Sequence, residues 1–316
     1  MTVVTRTRRH ILGLFGATLF SASCAPAIVS RDPNDPFEGG IGGTGIVGTL
    51  TGFGSLRING LRVRRDGRTR YRTPYGITTG EILAPGHVLT IAAMRDASGI
   101  LAREVSVDFA LVGVLREDAG RLSVNGVPLI DPVAARGDGA PGTRVAVSGL
   151  WTAQGLRPSR IDPAPTGTQD LIAGTVGRSP DGTGTIGGLP ISSAATPPAS
   201  GAYATAFGRA NTERFLAERV HSGRFARLSN LRLLSVEGYL EPAPSAPGLR
   251  IAGLGHNFAT DVRAAAIGDR RALYFGRYTG RFAAARGYLL PEDATARARL
   301  LRNGIQAEFP GPVLDL

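Results

Sequence analysis

The sequence predicts an all-β protein, a tandem array of four small β-barrel modules with a short C-terminal helix. One hairpin signature occurs four times, its turn glycines Gly60, Gly126, Gly188 and Gly253 spaced roughly sixty to sixty-six residues apart. The 316 residues include 44 Gly and 21 Pro, well above what a helical enzyme carries. Around each hairpin apolar and polar residues alternate with the period of a half-buried strand.

The first hairpin, residues 48–63, reads GTLTGFGSLRINGLRV. Asn59-Gly60 suits a two-residue type I′ turn, which needs positive φ at both positions. With that turn Ile58 faces Leu61 and Leu56 faces Val63, while Arg57 and Arg62 stand on the wet face. The second copy, residues 121–129, turns at Asn125-Gly126. The third, 185–191, turns at Gly187-Gly188, and the fourth and weakest, 249–256, at Ala252-Gly253. Pro128 and Pro190 take the outward slot of Arg62, where a missing N–H is tolerated at an edge. Ser123 stands where Arg57 does, so the copies do not share one basic site.

Each hairpin follows a Gly-aliphatic strand: Gly48-Thr49-Leu50, Gly113-Val114-Leu115, Gly174-Thr175-Val176 and Gly238-Tyr239-Leu240. After it come a turn glycine with an alternating strand (86–91, 142–149, 201–208, 268–276) and a short closing strand (102–107, 158–161, 217–220, 282–289). Five short strands with glycine-rich bends suggest a small closed barrel, because closure removes exposed edges. The modules fall at 46–110, 111–170, 171–235 and 236–290. Residues 221–235 exceed what the third repeat needs and read as a short helix or an extra hairpin. In 291–316, Glu292 and Asp293 precede a helix over 294–303 that carries its arginines later, so its ends are correctly charged, and Gly304 follows. The tail from Phe309, with two prolines, reads as coil.

Residues 1–27 read as an export signal. Arg6, Arg8 and Arg9 form a basic n-region and residues 11–19 an apolar segment too short to span a bilayer. Arg8 and Arg9 also fit the twin-arginine pattern, and both export routes stay open. Cys24, the single cysteine, follows Ala22 and Ser23 as the acceptor of a lipoprotein signal would; the alternative is cleavage after Ala27. No internal disulfide is available. Residues 28–45, rich in Pro, Asp and Gly, read as a flexible tether.

The formal net charge is +11, and every basic residue is arginine. Removing Arg6, Arg8 and Arg9 leaves +8. Arg forks suit carboxylate and phosphate, but no segment concentrates them as a binding arm would. Aromatic content of 6% is low for a chain that stacks bases or sugars.

The run Gly48-Thr49-Leu50-Thr51-Gly52-Phe53-Gly54-Ser55, with Ile58-Asn59-Gly60 and the strand after Pro85-Gly86, resembles the bacterial family called domain of unknown function 5666. The resemblance covers Gly45 to about Leu290 and is strongest in the first two units. It implies exported proteins built of tandem OB-like barrels, and it brings no activity or site.

Two G-x-G-x-x-G matches, at 43–48 and 182–187, lack the strand before and helix after that a dinucleotide site needs. The four histidines, His10, His87, His221 and His256, have no metal-ligand spacing. His256 takes the inward slot of Val63, which fits a core histidine or a shifted hairpin. Glu104, Asp108, Glu117 and Asp118 read as solvated edges. Trp151 follows a strand and is either core or a stacking platform, so with Arg57 and Arg62 it completes the candidate ligand surface. No catalytic, cofactor or metal residue can be nominated. The expected function is that of an exported cell-envelope binding or structural protein, held in the periplasm or at the outer membrane by a lipid anchor, or otherwise soluble in the periplasm or secreted. Its candidate partners are acidic glycan, anionic lipid or another envelope protein. The alternatives are an enzyme acting on envelope polymers through carboxylates between modules, or an extracellular nucleic-acid binder.

Overall fold

In module 1, β1 (Gly43–Gly52), β2 (Leu56–Ile58) and β3 (Leu61–Arg64) are followed by a small hairpin, β4 (Arg70–Thr73) and β5 (Gly76–Thr78), then β6 (Val88–Asp96) and β7 (Gly99–Asp108). Pairing runs β1–β2–β3–β7–β6 and back to β1, antiparallel except for the parallel β3–β7 contact. That is a closed five-stranded barrel with the strand order of an OB fold. The computed structural model describes residues 43–193, 198–211, 213–226, 228, 230–242, 249–255, 270–302 and 313–315.

The order repeats. Module 2 uses β8 (Leu111–Asp118), β9 (Arg121–Val124), β10 (Val127–Pro128), β11 (Arg144–Thr152) and β12 (Gly155–Pro163). Its third and fifth strands meet through the parallel bridges Leu129–Leu156 and Arg136–Arg160. Module 3 closes as module 1 does, through β13 (Asp170–Arg178), β14 (Gly184–Ile186), β15 (Leu189–Ser193), β16 (Tyr203–Ala210) and β17 (Phe215–Ser222). Module 4 has β18 (Leu231–Gly238), β19 (Leu240–Pro242), β20 (Leu249–Ile251), β21 (Ala272–Tyr278) and β22 (Phe282–Leu289), then the helix α1 (Ala294–Arg302) and β23 (Val313–Asp315). Among the described residues strand accounts for 59% and helix for 6%, which makes the fold all-β with a short C-terminal helix.

The first hairpin has the register its alternation dictates: Leu56 faces Val63, Arg57 faces Arg62 and Ile58 faces Leu61. Asn59 and Gly60 take φ of 53° and 75°, as a type I′ turn requires. Leu56, Ile58 and Val63 are fully buried in the barrel with Leu50, Leu89, Ile91 and Val105. Each such aliphatic contributes roughly 1.5–3 kcal/mol of transfer free energy.

The modules do not form separate beads. β1 pairs in parallel with β18, so modules 1 and 4 share a sheet, and β8 pairs with β13, so modules 2 and 3 share another. Outer faces of β8 and β13 also pack on module 1, where Val112, Leu171 and Ala173 join its core with Phe207. The described residues therefore cluster as one unit.

Several boundaries move. Gly43, Thr44 and Gly45, read as the end of the tether, open β1, because β18 provides them with a ladder partner. Among its described residues the segment 221–235 holds neither helix nor extra hairpin. Its start ends β17, and Leu231 to Ser235 begin β18, so module 4 starts earlier than 236. Val313–Asp315, read as coil, pairs antiparallel with β22. The β4–β5 hairpin was not anticipated. Arg8, Arg9, Cys24 and His256 lie outside the described residues.

Candidate functional site

The outer face of the first hairpin carries Arg57 and Arg62 directly opposite each other, with Gly52 next to Arg57 in the ladder. Among the described residues neither guanidinium has an ion-pair or hydrogen-bond partner. Like charges opposed across an antiparallel pair repel. Arg62 is exposed, and Phe53, on the turn between β1 and β2, is 44% exposed. The counterparts differ in every other module. Ser123 faces Pro128, Thr185 faces Pro190, and in module 4 Arg250, the counterpart of Arg57, is paired with Glu241 at 2.5 Å.

The remaining turn residues fasten modules together. Asn59 Nδ2 donates to the Val47 carbonyl at 2.9 Å, then across the module 1–4 junction to the Ser235 carbonyl at 3.2 Å and Oγ at 3.0 Å. Asn125 Nδ2 donates to the Val112 carbonyl at 2.9 Å and, in module 3, to Leu171 at 3.1 Å. The neighbouring glycines are required by these amides. A Cβ on Gly48 would lie 1.9 Å from Asn59 Oδ1, and one on Gly113 2.0 Å from Asn125 Oδ1.

Trp151 is not a stacking platform. It is 8% exposed, and its indole N–H donates to the Ala173 carbonyl at 2.8 Å. Ala173 precedes Gly174 as Val47 precedes Gly48, so the indole satisfies in module 3 the carbonyl that asparagine satisfies in modules 1 and 2. A Cβ on Gly187 would fall 2.3 Å from the six-membered ring of Trp151, and one on Gly253 2.3 Å from its Cδ1. The ring is thus wedged between the turns of modules 3 and 4, and the bare Gly187-Gly188 turn is its complement. Gly126 and Gly188 complete their turns at positive φ.

A cleft of about 280 Å³ separates the outer wall of module 1 from β16 and β17. Glu104, Ser106 and Asp108 alternate along β7 toward it. Glu104 and Asp108 are not the solvated edges the sequence suggested. Glu104 is 5% exposed, with Arg70 at 3.5 Å and Arg72 at 3.4 Å. Asp108 accepts the Thr90 hydroxyl at 2.6 Å and pairs with Arg224. Arg224 also donates to Thr90 Oγ1 at 3.1 Å and to the Gly253 carbonyl at 3.0 Å, and lies over the Tyr203 ring. It therefore joins modules 1, 3 and 4. Glu117 and Asp118 are exposed at the end of β8.

Two further charged groups fix the junctions. Glu237, 2% exposed, accepts the Thr49 N–H at 2.6 Å and Arg271 Nε at 2.7 Å, while Arg271 Nη2 reaches Thr49 Oγ1 at 2.8 Å. Burial pushes this carboxyl up, but Arg271 and Arg297 outweigh it and hold it below the ordinary range. His87, 3% exposed, accepts the Ala84 N–H on Nδ1, so its Nε2 donates to Asp162 at 3.0 Å across the module 1–2 junction. Burial again opposes ionisation of Asp162, yet His87 and Arg160 keep it lowered. The sequence signal for these contacts is slight, because each residue is a lone charge within an unremarkable strand or turn.

The two G-x-G-x-x-G segments lie in β1 and in the β13–β14 hairpin, with no helix after either. Among the described residues no group of three or more His, Cys, Asp or Glu could hold a metal ion, and no helix is long and apolar enough to cross a membrane. No protein-family model, curated protein or solved structure matches the chain.

Proposed function

We propose that the protein is an exported cell-envelope component that binds rather than catalyses, and that it grips an acidic polysaccharide through Arg57 and Arg62 of its first module. The observation that carries this is the unneutralised Arg57–Arg62 pair, beside exposed Phe53, on the face where OB barrels commonly take oligosaccharides or oligonucleotides. That face is an analogy of fold. The arginines are this chain's own, and a bridging carboxylate would relieve their repulsion through forked, charge-assisted hydrogen bonds. The export reading of residues 1–27, with Cys24 as candidate lipid acceptor, places such a polymer within reach.

Binding is favoured over catalysis by the cleft carboxylates. Glu104 and Asp108 are four residues apart on one strand, so their backbones are ~13 Å apart, whereas glycosidase carboxyls sit ~5–9.5 Å apart. Each is also held by arginine. An extracellular nucleic-acid ligand would need a longer arginine track, and the counterparts in modules 2 and 3 are Ser123, Pro128, Thr185 and Pro190.

The test is calorimetric titration of the purified protein with polygalacturonate, with neutral dextran as control, at low and physiological salt. Arg57→Ala with Arg62→Ala should weaken binding about tenfold or more, as loss of two charged hydrogen-bond donors implies. Equal binding of the double variant, or preference for single-stranded DNA over polygalacturonate, would refute the proposal. Intact mass of protein from the membrane fraction tests lipidation at Cys24.

A further inference from the structure

A cavity of about 360 Å³ lies where modules 2, 3 and 4 meet. Its volume falls within the ~300–1,000 Å³ typical of small-ligand sites. The walls come from equivalent positions of two hairpins. Gly177 and Thr185 are cross-strand partners in module 3, and Glu241 and Arg250 are cross-strand partners in module 4. Gln154, on the exposed β11–β12 turn of module 2, and the edge of Trp151 complete the lining.

From these groups we infer a second binding site, which takes a neutral saccharide unit. Glu241 and Arg250 are 17% and 13% exposed and are joined through Oε1 and Nε at 2.5 Å. Among the described residues that leaves Glu241 Oε2 as an acceptor and the two Arg250 Nη groups as donors. An acceptor beside a donor matches a vicinal diol, in which one hydroxyl donates to the carboxylate and the next accepts from the guanidinium.

The pair has no net charge, so it offers an acidic ligand no general attraction, unlike Arg57 and Arg62. Gly188 leaves room on the floor, since a Cβ there would meet nothing within 4 Å. No single module supplies all of these groups, so the site exists only in the assembled array.

The probes are N,N′-diacetylchitobiose and maltose, titrated into the full chain and followed by saturation-transfer NMR and calorimetry. At least one should bind saturably at one site. Glu241→Gln should weaken that binding about tenfold, since it removes a charged acceptor. Arg57→Ala with Arg62→Ala should leave it unchanged, which separates this site from the acidic-polymer face. Should Glu241→Gln lower the melting temperature, Gln154→Ala, on an exposed turn, must still weaken binding. Lack of saturable binding to both sugars would overturn the inference. So would binding unaffected by Glu241→Gln and Gln154→Ala.

Discussion

If Trp151 takes the role that Asn59 and Asn125 play in the first two modules, restoring an asparagine to the third turn should conflict with the tryptophan and be tolerated without it. Gly187→Asn places a Cβ 2.3 Å from the Trp151 ring, far inside normal contact of about 3.5–4.0 Å. Gly187 has φ of 59°, which asparagine adopts readily, so backbone strain adds little. Overpacking alone should cost about 1–3 kcal/mol or somewhat more. Trp151→Leu removes the donor to Ala173, worth about 1–3 kcal/mol for the orphaned carbonyl, and leaves a void worth about 2–4 kcal/mol. In the double variant the clash is gone and the new amide can reach the Ala173 carbonyl, as Asn125 reaches Val112 at 2.9 Å. The two losses should therefore fall short of additivity by about 2–3 kcal/mol. Urea denaturation of the four proteins, followed by far-UV circular dichroism because Trp151 is the sole tryptophan, measures this. Additivity within about 0.5 kcal/mol would refute the equivalence of indole and amide.

Other substitutions probe the junctions. Asn59→Ala removes three buried hydrogen bonds and puts alanine at a left-handed position; a loss of about 2–4 kcal/mol in denaturant titration is expected. Arg224→Met leaves Asp108 without its cation and should cost about 3–5 kcal/mol, readable as a lower melting temperature. Acid should loosen the array. The folded pKa values of Glu237 and Asp162 lie below their unfolded values, so their stabilisation is complete above the ordinary carboxylate range and is lost as pH falls through the lowered folded values. The urea midpoint should be flat near neutrality and drop below about pH 4. A midpoint that rises on acidification would contradict the assignment.

Local chemistry was legible because it depends on neighbours in sequence. Asn59-Gly60 and the alternation of Leu56, Ile58, Leu61 and Val63 specify a turn and a register without reference to the rest of the chain. Junctions depend on partners far away: Thr49 meets Glu237 across 188 positions, and Arg224 meets Asp108 across 116. No local pattern distinguishes Glu104 or Asp108 from a solvated carboxylate. Residues 231–235 were misplaced because repeat spacing hid that β18 is long enough to pair with both β1 and β21. A usable signal did exist at Trp151. The third turn loses its asparagine in the unit that follows the only tryptophan, and coupled exceptions of that kind point to contact.

The four hairpins differ according to what each one meets. Asn59 and Asn125 face neighbouring strands and keep their amides. Gly187 and Gly253 close on the indole and have no large side chain. Thr185 and the Glu241–Arg250 pair face a shared cavity and are polar without net charge. Among the described residues, only the first hairpin opposes two arginines without a carboxylate. A folding constraint alone would select against such a pair, since repulsion lowers the stability of the strand pairing it sits on. Its presence is what a ligand that supplies the missing negative charge would explain.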